Sequence, residues 1–252
     1  IRSFTQLQRI KRKVWIMKFG SITTGITTDG LVFNIDAANR ASTIPSTNTT
    51  KTFNTIDTAV SGAFSSTGMF DSINAGVFDF DGLAEITTGG ITGITPSNSI
   101  CFWFNNSATA GGQAPLMASL NYTAASGENF AIRLETTNKL TVVLVKNNAY
   151  VILNSNTVLA DNTWYCIILI TLTSGSNITT TLYINGTQDL TATATNHSNL
   201  SDLQNGLTIG HWEAPGNQNN FNGQIGNCQI YNRALSSSEV LHNYNALKGR
   251  FT

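Results

Sequence analysis

The strongest constraint on the fold is a rhythm of short strand-like runs separated by turn residues, with no helical pattern between them until the last twenty positions. LVFNID (31–36), GVFDFDG (76–82), SICFWFN (99–105), NFAIRLE (129–135), KLTVVLVK (139–146), AYVILNS (149–155), WYCIILITL (164–172), TTTLYINGTQDL (179–190), GLTIGH (206–211) and GQIGNCQIYN (223–232) are rich in Val, Ile, Phe, Tyr and Thr. Such residues favour the pleated, half-buried surface of a sheet. Parallel strands need long crossovers, most often helical, so about ten strands in this order must pair antiparallel. Two such sheets facing each other bury the apolar side of each.

Local chemistry supports the rhythm. LVFNID alternates Leu31, Phe33 and Ile35 against Val32, Asn34 and Asp36. SICFWFN is apolar on both faces, as a central strand covered on both sides should be. Asn185-Gly186 is a favoured pair for a type I′ hairpin. Residues 37–74 carry few periodic apolar positions and read as a long irregular connection.

The last segment, YNRALSSSEVLHNYNALKGRF (231–251), changes period. Ser236 and Glu239 form a capping box, with Leu235 and Val240 at the staple positions. Val240, Leu241, Tyr244 and Leu247 then mark one apolar stripe on a helix of about three turns. Gly249 is placed to end the helix in a left-handed conformation, with Lys248 and Arg250 near the negative end of the helix dipole. A helix this short needs a surface to dock on.

Composition fits a turn-rich β protein: 252 residues, 11% of them charged, with abundant Thr, Asn, Ser and Gly. No apolar run approaches the length of a membrane span. The net charge of zero conceals an asymmetry. Arg2, Arg9, Lys11, Arg12, Lys13 and Lys18 precede the first acid, Asp29, and the remainder holds eight basic and fourteen acidic residues, a net of −6. Residues 1–28 thus read as a basic arm on an acidic domain spanning 29–252. Phe4, Arg9, Lys11, Arg12, Lys13 and Trp15 are its candidate assembly contacts, apolar residues docking and cations registering against an acidic partner. Met17-Lys-Phe-Gly offers a natural start, so residues 1–16 read equally as arm or as sequence outside the reading frame. The arm is not a secretory signal, because no apolar core follows its charges.

Cys101, Cys166 and Cys228 lie singly in strand-like runs without metal-ligand spacing, and read as buried free thiols. Catalytic signatures are missing: no G-x-S-x-G, H-E-x-x-H or phosphate-binding glycine loop occurs. FDFDG puts Asp79 and Asp81 on one strand face, which reads as turn chemistry. No catalytic residue, metal or cofactor is expected. HWEAPGNQNNFNG (211–223) combines an indole with carboxamides, a mixture suited to a sugar ring, and Trp212 with Asn220 are the candidate carbohydrate contacts.

The order GLVFNIDAAN, GVFDFDG, SICFWF, DNTWYCIILI, LYINGT, GLTIG and FNGQIGNCQIYNRALSSSEV resembles the laminin-G-like jelly roll of the concanavalin A-like lectin and glucanase superfamily, over residues 29–251. The resemblance implies an all-β two-sheet antiparallel sandwich with a short C-terminal helix capping the sandwich edge. The glucanase E-x-D-x-x-E strand is missing, which points away from glycoside hydrolysis. The opening FGSITTGITTDGLVFNIDAANRAS is similar to laminin-G-like proteins of tailed bacteriophages. This implies a non-enzymatic virion structural protein, a capsid decoration or a head or tail appendage on the virion surface. Its partners would be other virion proteins and a host-surface glycan, in a homo-oligomer set by particle symmetry. A carbohydrate-binding module or adhesin on a cell surface is the alternative.

Overall fold

The fold is described from a computed structural model, over residues 25–46, 49–107, 113–119, 128–146, 149–195, 200–212 and 220–252. The basic-arm positions Phe4, Arg9, Lys11, Arg12, Lys13 and Trp15 lie outside these residues.

Among the described residues, sixteen strands precede one α-helix. They are β1 (Leu31–Asp36), β2 (Lys51–Phe53), β3 (Ser61–Phe64), β4 (Phe70–Asp71), β5 (Val77–Asp81), β6 (Ile86–Thr88), β7 (Asn98–Asn106) and β8 (Ala114–Ser119). After them come β9 (Glu128–Leu134), β10 (Lys139–Lys146), β11 (Ala149–Val158), β12 (Trp164–Ser174), β13 (Asn177–Ile184), β14 (Thr187–Thr195), β15 (Leu207–Ile209) and β16 (Asn222–Tyr231). Helix α1 spans Ser237–Phe251.

The first sheet runs β14-β13-β12-β7-β16-β5-β4, and the second runs β11-β10-β9-β8-β15-β6-β3-β2. β16 shares its far side between two partners: β5 pairs along Asn222–Ile225, and β1 along Asn227–Tyr231. All described pairings are antiparallel, as expected from the rhythm of strands and turns. Asn185 and Gly186 both take positive φ, 52° and 78°, as the I′ hairpin between β13 and β14 requires. The 37–74 connection is more regular than expected, since β2, β3 and β4 lie within it. These strands are too short for an alternating pattern to show; tertiary pairing onto the sheet margins creates them.

The main core lies between the sheets, where Phe33, Phe78, Phe102 and Phe104 meet Leu116, Phe130, Val142 and Leu144. Cys228 joins this core. A second core lies on the outer face of the first sheet, beneath α1. Here the expected placement of the helix needs correction: it crosses the face of the sheet and not the edge of the sandwich. Val240, Leu247 and Phe251 pack on Cys101, Trp103, Cys166 and Ile168. This explains why SICFWF and WYCIILI are apolar on both faces. All three cysteines are free and buried, and burial pushes the Cys101 thiol up to about 12.

Two details of the helix also differ from the sequence reading. Leu241 is 49% exposed, and Asn243 takes a buried place in the stripe instead. Asn243 donates to the Tyr231 hydroxyl at 3.0 Å and accepts from the Thr27 amide at 2.7 Å, while Tyr231 donates to the Thr27 carbonyl at 2.9 Å. This closed polar triangle fastens the helix to the segment before β1, with each buried polar group paired. Gly249 does not end the helix, which continues to Phe251. The reason is Phe251, whose anchoring on the sheet outweighs the stop signal. A Cβ at Gly249 would meet no atom within 4 Å. Gly249→Ala is therefore expected to stabilise the protein by up to about 1 kcal/mol, seen as a higher midpoint in urea.

The capping box forms as the sequence requires. Glu239 N–H donates to the Ser236 hydroxyl at 3.3 Å, and the Ser236 amide donates to Glu239 Oε2 at 2.8 Å. Arg233 adds a forked contact to the same carboxylate, at 2.5 and 3.0 Å. That guanidinium, then the Ser236 donors, hold the Glu239 carboxyl down at about 2 against an ordinary 4.5. A depressed folded value means the stabilisation is present above pH 4.5 and is lost as pH falls toward 2. Glu239→Gln should therefore be less stable than the parent at pH 6, with the difference shrinking steadily below pH 4.5 in thermal unfolding; a constant difference would contradict the assignment.

Candidate functional site

Trp212 and Asn220 stand at the two ends of the loop between β15 and β16, whose residues 213–219 lie outside the described ones. The base of the loop is closed by the Phe221 N–H donating to the Gly210 carbonyl at 2.9 Å. A second closure joins side chains. His211 Nδ1 lies 2.5 Å from Asn220 Oδ1, and since that oxygen only accepts, the imidazole presents Nδ1–H to it. Glu85 lies 3.9 Å from the other ring nitrogen. The Asn220 side-chain amide carries two further N–H donors.

Trp212 folds back onto the outer face of the second sheet and is only 8% exposed. Its ring packs with Ala118, Ala131, Val143 and Val145. The Arg133 guanidinium lies 5.1 Å from the indole centroid and is held by Glu135 at 2.7 Å. The indole is thus a covered base and not an exposed stacking platform. Burying a flat apolar ring on a row of small residues outweighs its exposure to solvent.

Strand register identifies what is exposed beside it. Tyr150 opposes Val145 and Ile152 opposes Val143, so both share the outer face with Trp212. Tyr150 is 48% exposed and Ile152 53%. Asn154, on the same face, accepts from the Thr141 hydroxyl at 2.7 Å. The outer face of β9, β10 and β11 therefore presents an exposed phenol, an aliphatic patch, a carboxamide, and a guanidinium fixed over an indole. The alternation in AYVILNS already put Tyr150, Ile152 and Asn154 on one side; which side faced outward could not be read from it.

The described carboxylates are tied into the scaffold. Asp81 Oδ1 accepts from the amides of Leu83 and Ala84, both at 2.9 Å, so the FDFDG motif is turn chemistry as expected. Asp79 accepts from Gln224 at 3.2 Å, and Asp161 from Asn106 at 2.9 Å. Asp189 on β14 takes the Thr157 hydroxyl at 2.6 Å and the Asn156 amide at 2.7 Å, fastening the margins of the two sheets together. Among the described residues, no three of His, Cys, Asp and Glu come together to hold a metal ion. No described helix is long and apolar enough to cross a membrane.

These two eight-stranded antiparallel sheets, with one C-terminal helix, define a concanavalin A-like sandwich. Residues 80–241 match the family profile of the concanavalin A-like lectin/glucanases superfamily, in its laminin-G-like branch, and the chain belongs to that superfamily. Solved structures agree in fold. The binding domain of botulinum neurotoxin DC, in complex with rat synaptotagmin II, superimposes with a TM-score of 0.61 at 16% identity, covering 86% of this chain and 52% of the toxin domain. Botulinum neurotoxin type C, whose cell entry is dependent upon interaction with two ganglioside molecules, gives 0.62 at 16% identity, covering 86% of this chain and 51% of that one. A Trypanosoma rangeli sialidase in complex with the inhibitor DANA gives 0.60 at 13% identity, covering 90% of this chain and 34% of the sialidase. The chain thus spans about half the length of the toxin structures and about a third of the sialidase. No curated protein matches it in sequence.

Proposed function

We propose that this chain is a non-catalytic glycan-recognition module carried on the surface of a tailed-phage virion as a head or tail appendage. The observation that carries glycan recognition is the outer face of β9–β11, where exposed Tyr150 stands beside the Arg133–Trp212 pair and the Asn154–Thr141 bond. A phenol takes the C–H face of a pyranose, and fixed carboxamide and guanidinium groups take its hydroxyls. Asn220, at the base of the adjoining loop, adds donors from the side. Non-catalysis is supported by the engagement of the described carboxylates in turns, caps and ion pairs.

Placement on a virion rests on the resemblance of residues 19–42 to phage laminin-G-like proteins, with virion proteins as partners and oligomeric state set by particle symmetry. A glycan array comparing the parent with Tyr150→Ala tests the recognition. Loss of about tenfold in affinity is expected for one aromatic anchor, and an unchanged profile would remove this face from the proposal. Cryo-electron microscopy of the source particle tests the placement: symmetric positions support it, whereas a secreted or cell-wall location would favour an adhesin.

A further inference from the structure

A second concavity lies far along the same sheet, at its opposite margin. It is lined by Ile44, Ser46, Thr49, Thr50, Lys51 and Phe53 and has a volume of about 280 Å³. β2 is the last strand of the second sheet, and Lys51 and Phe53, two residues apart, share one of its faces. The Lys51 ammonium lies 5.1 Å from the Phe53 ring centroid. Lys51 is exposed, with its ammonium beside this apolar wall.

The walls are braced from behind. Thr52, pointing the other way, bonds the hydroxyls of Ser42 and Thr43 at 3.0 and 2.9 Å, and all three residues are fully buried. The Phe53 amide donates to the Ser42 carbonyl at 2.7 Å, and the Thr49 hydroxyl closes the rim onto the Ile44 carbonyl at 2.5 Å. Ile44 nevertheless remains 62% exposed. Its side chain and the Phe53 ring therefore offer an apolar floor, Ser46, Thr49 and Thr50 a hydroxyl-bearing rim, and Lys51 the one charge among the described lining residues. The domain outside the arm is net negative.

We infer that this pocket binds a single carboxylated pyranose, a uronic or sialic acid residue, with its carboxylate on Lys51 and its C–H face on Phe53 and Ile44. The volume lies just under the range of pockets for drug-sized molecules, which suits one ring and not an oligosaccharide. The inference goes beyond the outer-face reading, because it concerns a different site.

Calorimetric titration of the full chain with glucuronic acid and N-acetylneuraminic acid, against their methyl esters, tests it. The free acids are expected to bind, while esterification or Lys51→Met weakens binding by about tenfold or more, the loss of one charge-assisted contact. Ile44→Asp, at an exposed position, should abolish binding without affecting folding, and Tyr150→Ala should leave it unchanged. Equal binding of acid and ester, full affinity in Lys51→Met, or no binding of either acid overturns the inference. If neutral glycans still bind through Tyr150 while the acids do not, this pocket falls and the outer-face reading stands. If the acids bind through Lys51 and Tyr150→Ala changes nothing on the array, the reverse holds.

Discussion

Phe251→Ala should lower the unfolding free energy by about 3–5 kcal/mol, the usual cost of emptying a buried aromatic site. The side chain is 6% exposed. Its ring stacks on Trp103 at 4.7 Å between centroids and meets Trp164 at 4.5 Å. It also lies over Gly226, where a Cβ would collide with it. Gly226 sits at the break in register between β16 and β7, so the missing side chain makes the seat for the ring. Tyr244 stacks on Trp103 at 5.6 Å, so two helix rings cover one sheet tryptophan. Denaturant unfolding followed by tryptophan fluorescence would report the change as a lower midpoint at an unchanged slope. A loss under about 1 kcal/mol would mean that α1 is an accessory and not part of the fold.

Arg250→Met is the second large effect, expected to cost about 3–5 kcal/mol, because it leaves a buried carboxylate without its cation. Asp36 is 2% exposed, and Arg250 Nη1 lies 2.7 Å from its Oδ1. The same guanidinium donates to the carbonyls of Asn74 at 2.7 Å, Gly76, and Gly226 at 3.3 Å. One side chain therefore joins the helix end to β1, to the segment before β5, and to β16. The double variant Arg250→Met with Asp36→Asn should be less damaged than the sum of the single changes, since the orphaned charge is gone. A double-mutant cycle with coupling near zero would contradict this account.

Phe251 was not assigned to the helix stripe from the sequence, and the reading of Arg250 was only partly informative. Arg250 reads as a cation near the negative end of a helix dipole, which is true of its position. Three of its partners, Asp36, Asn74 and Gly76, are 174 to 214 residues away in the chain, and no local pattern signals them. Gly249 illustrates the same limit. Its local preference is to stop a helix, and the packing of Phe251 two positions on overrides it. Leu241 and Asn243 exchange roles because the stripe is defined by what it faces: the Thr27 amide offers a donor and the Tyr231 hydroxyl an acceptor that an asparagine satisfies and a leucine could not.

The candidate sites divide in the same way. The 211–223 loop was visible as a cluster of an indole and carboxamides, and its base is indeed closed by His211 and Asn220. What the indole does was not visible, because the small residues it covers, Ala118, Ala131, Val143 and Val145, come from three different strands. Tyr150 needed the register of β11 on β10 before its exposure meant anything. The Lys51–Phe53 pocket lies within a stretch that looked irregular, since its strand has only three residues.

The sequence alone determined the elements that depend on near neighbours: the antiparallel strands, the Asn185-Gly186 hairpin, the Ser236–Glu239 cap, the free thiols and the two-sheet class. Each follows from side-chain alternation or turn chemistry within a few residues. Only the tertiary structure decided which face of the first sheet carries the helix, which side of β11 is wet, and where Arg250 and Trp212 rest. Those outcomes depend on pairing between segments distant in the chain, where the burial of a ring or a charge outweighs local preference.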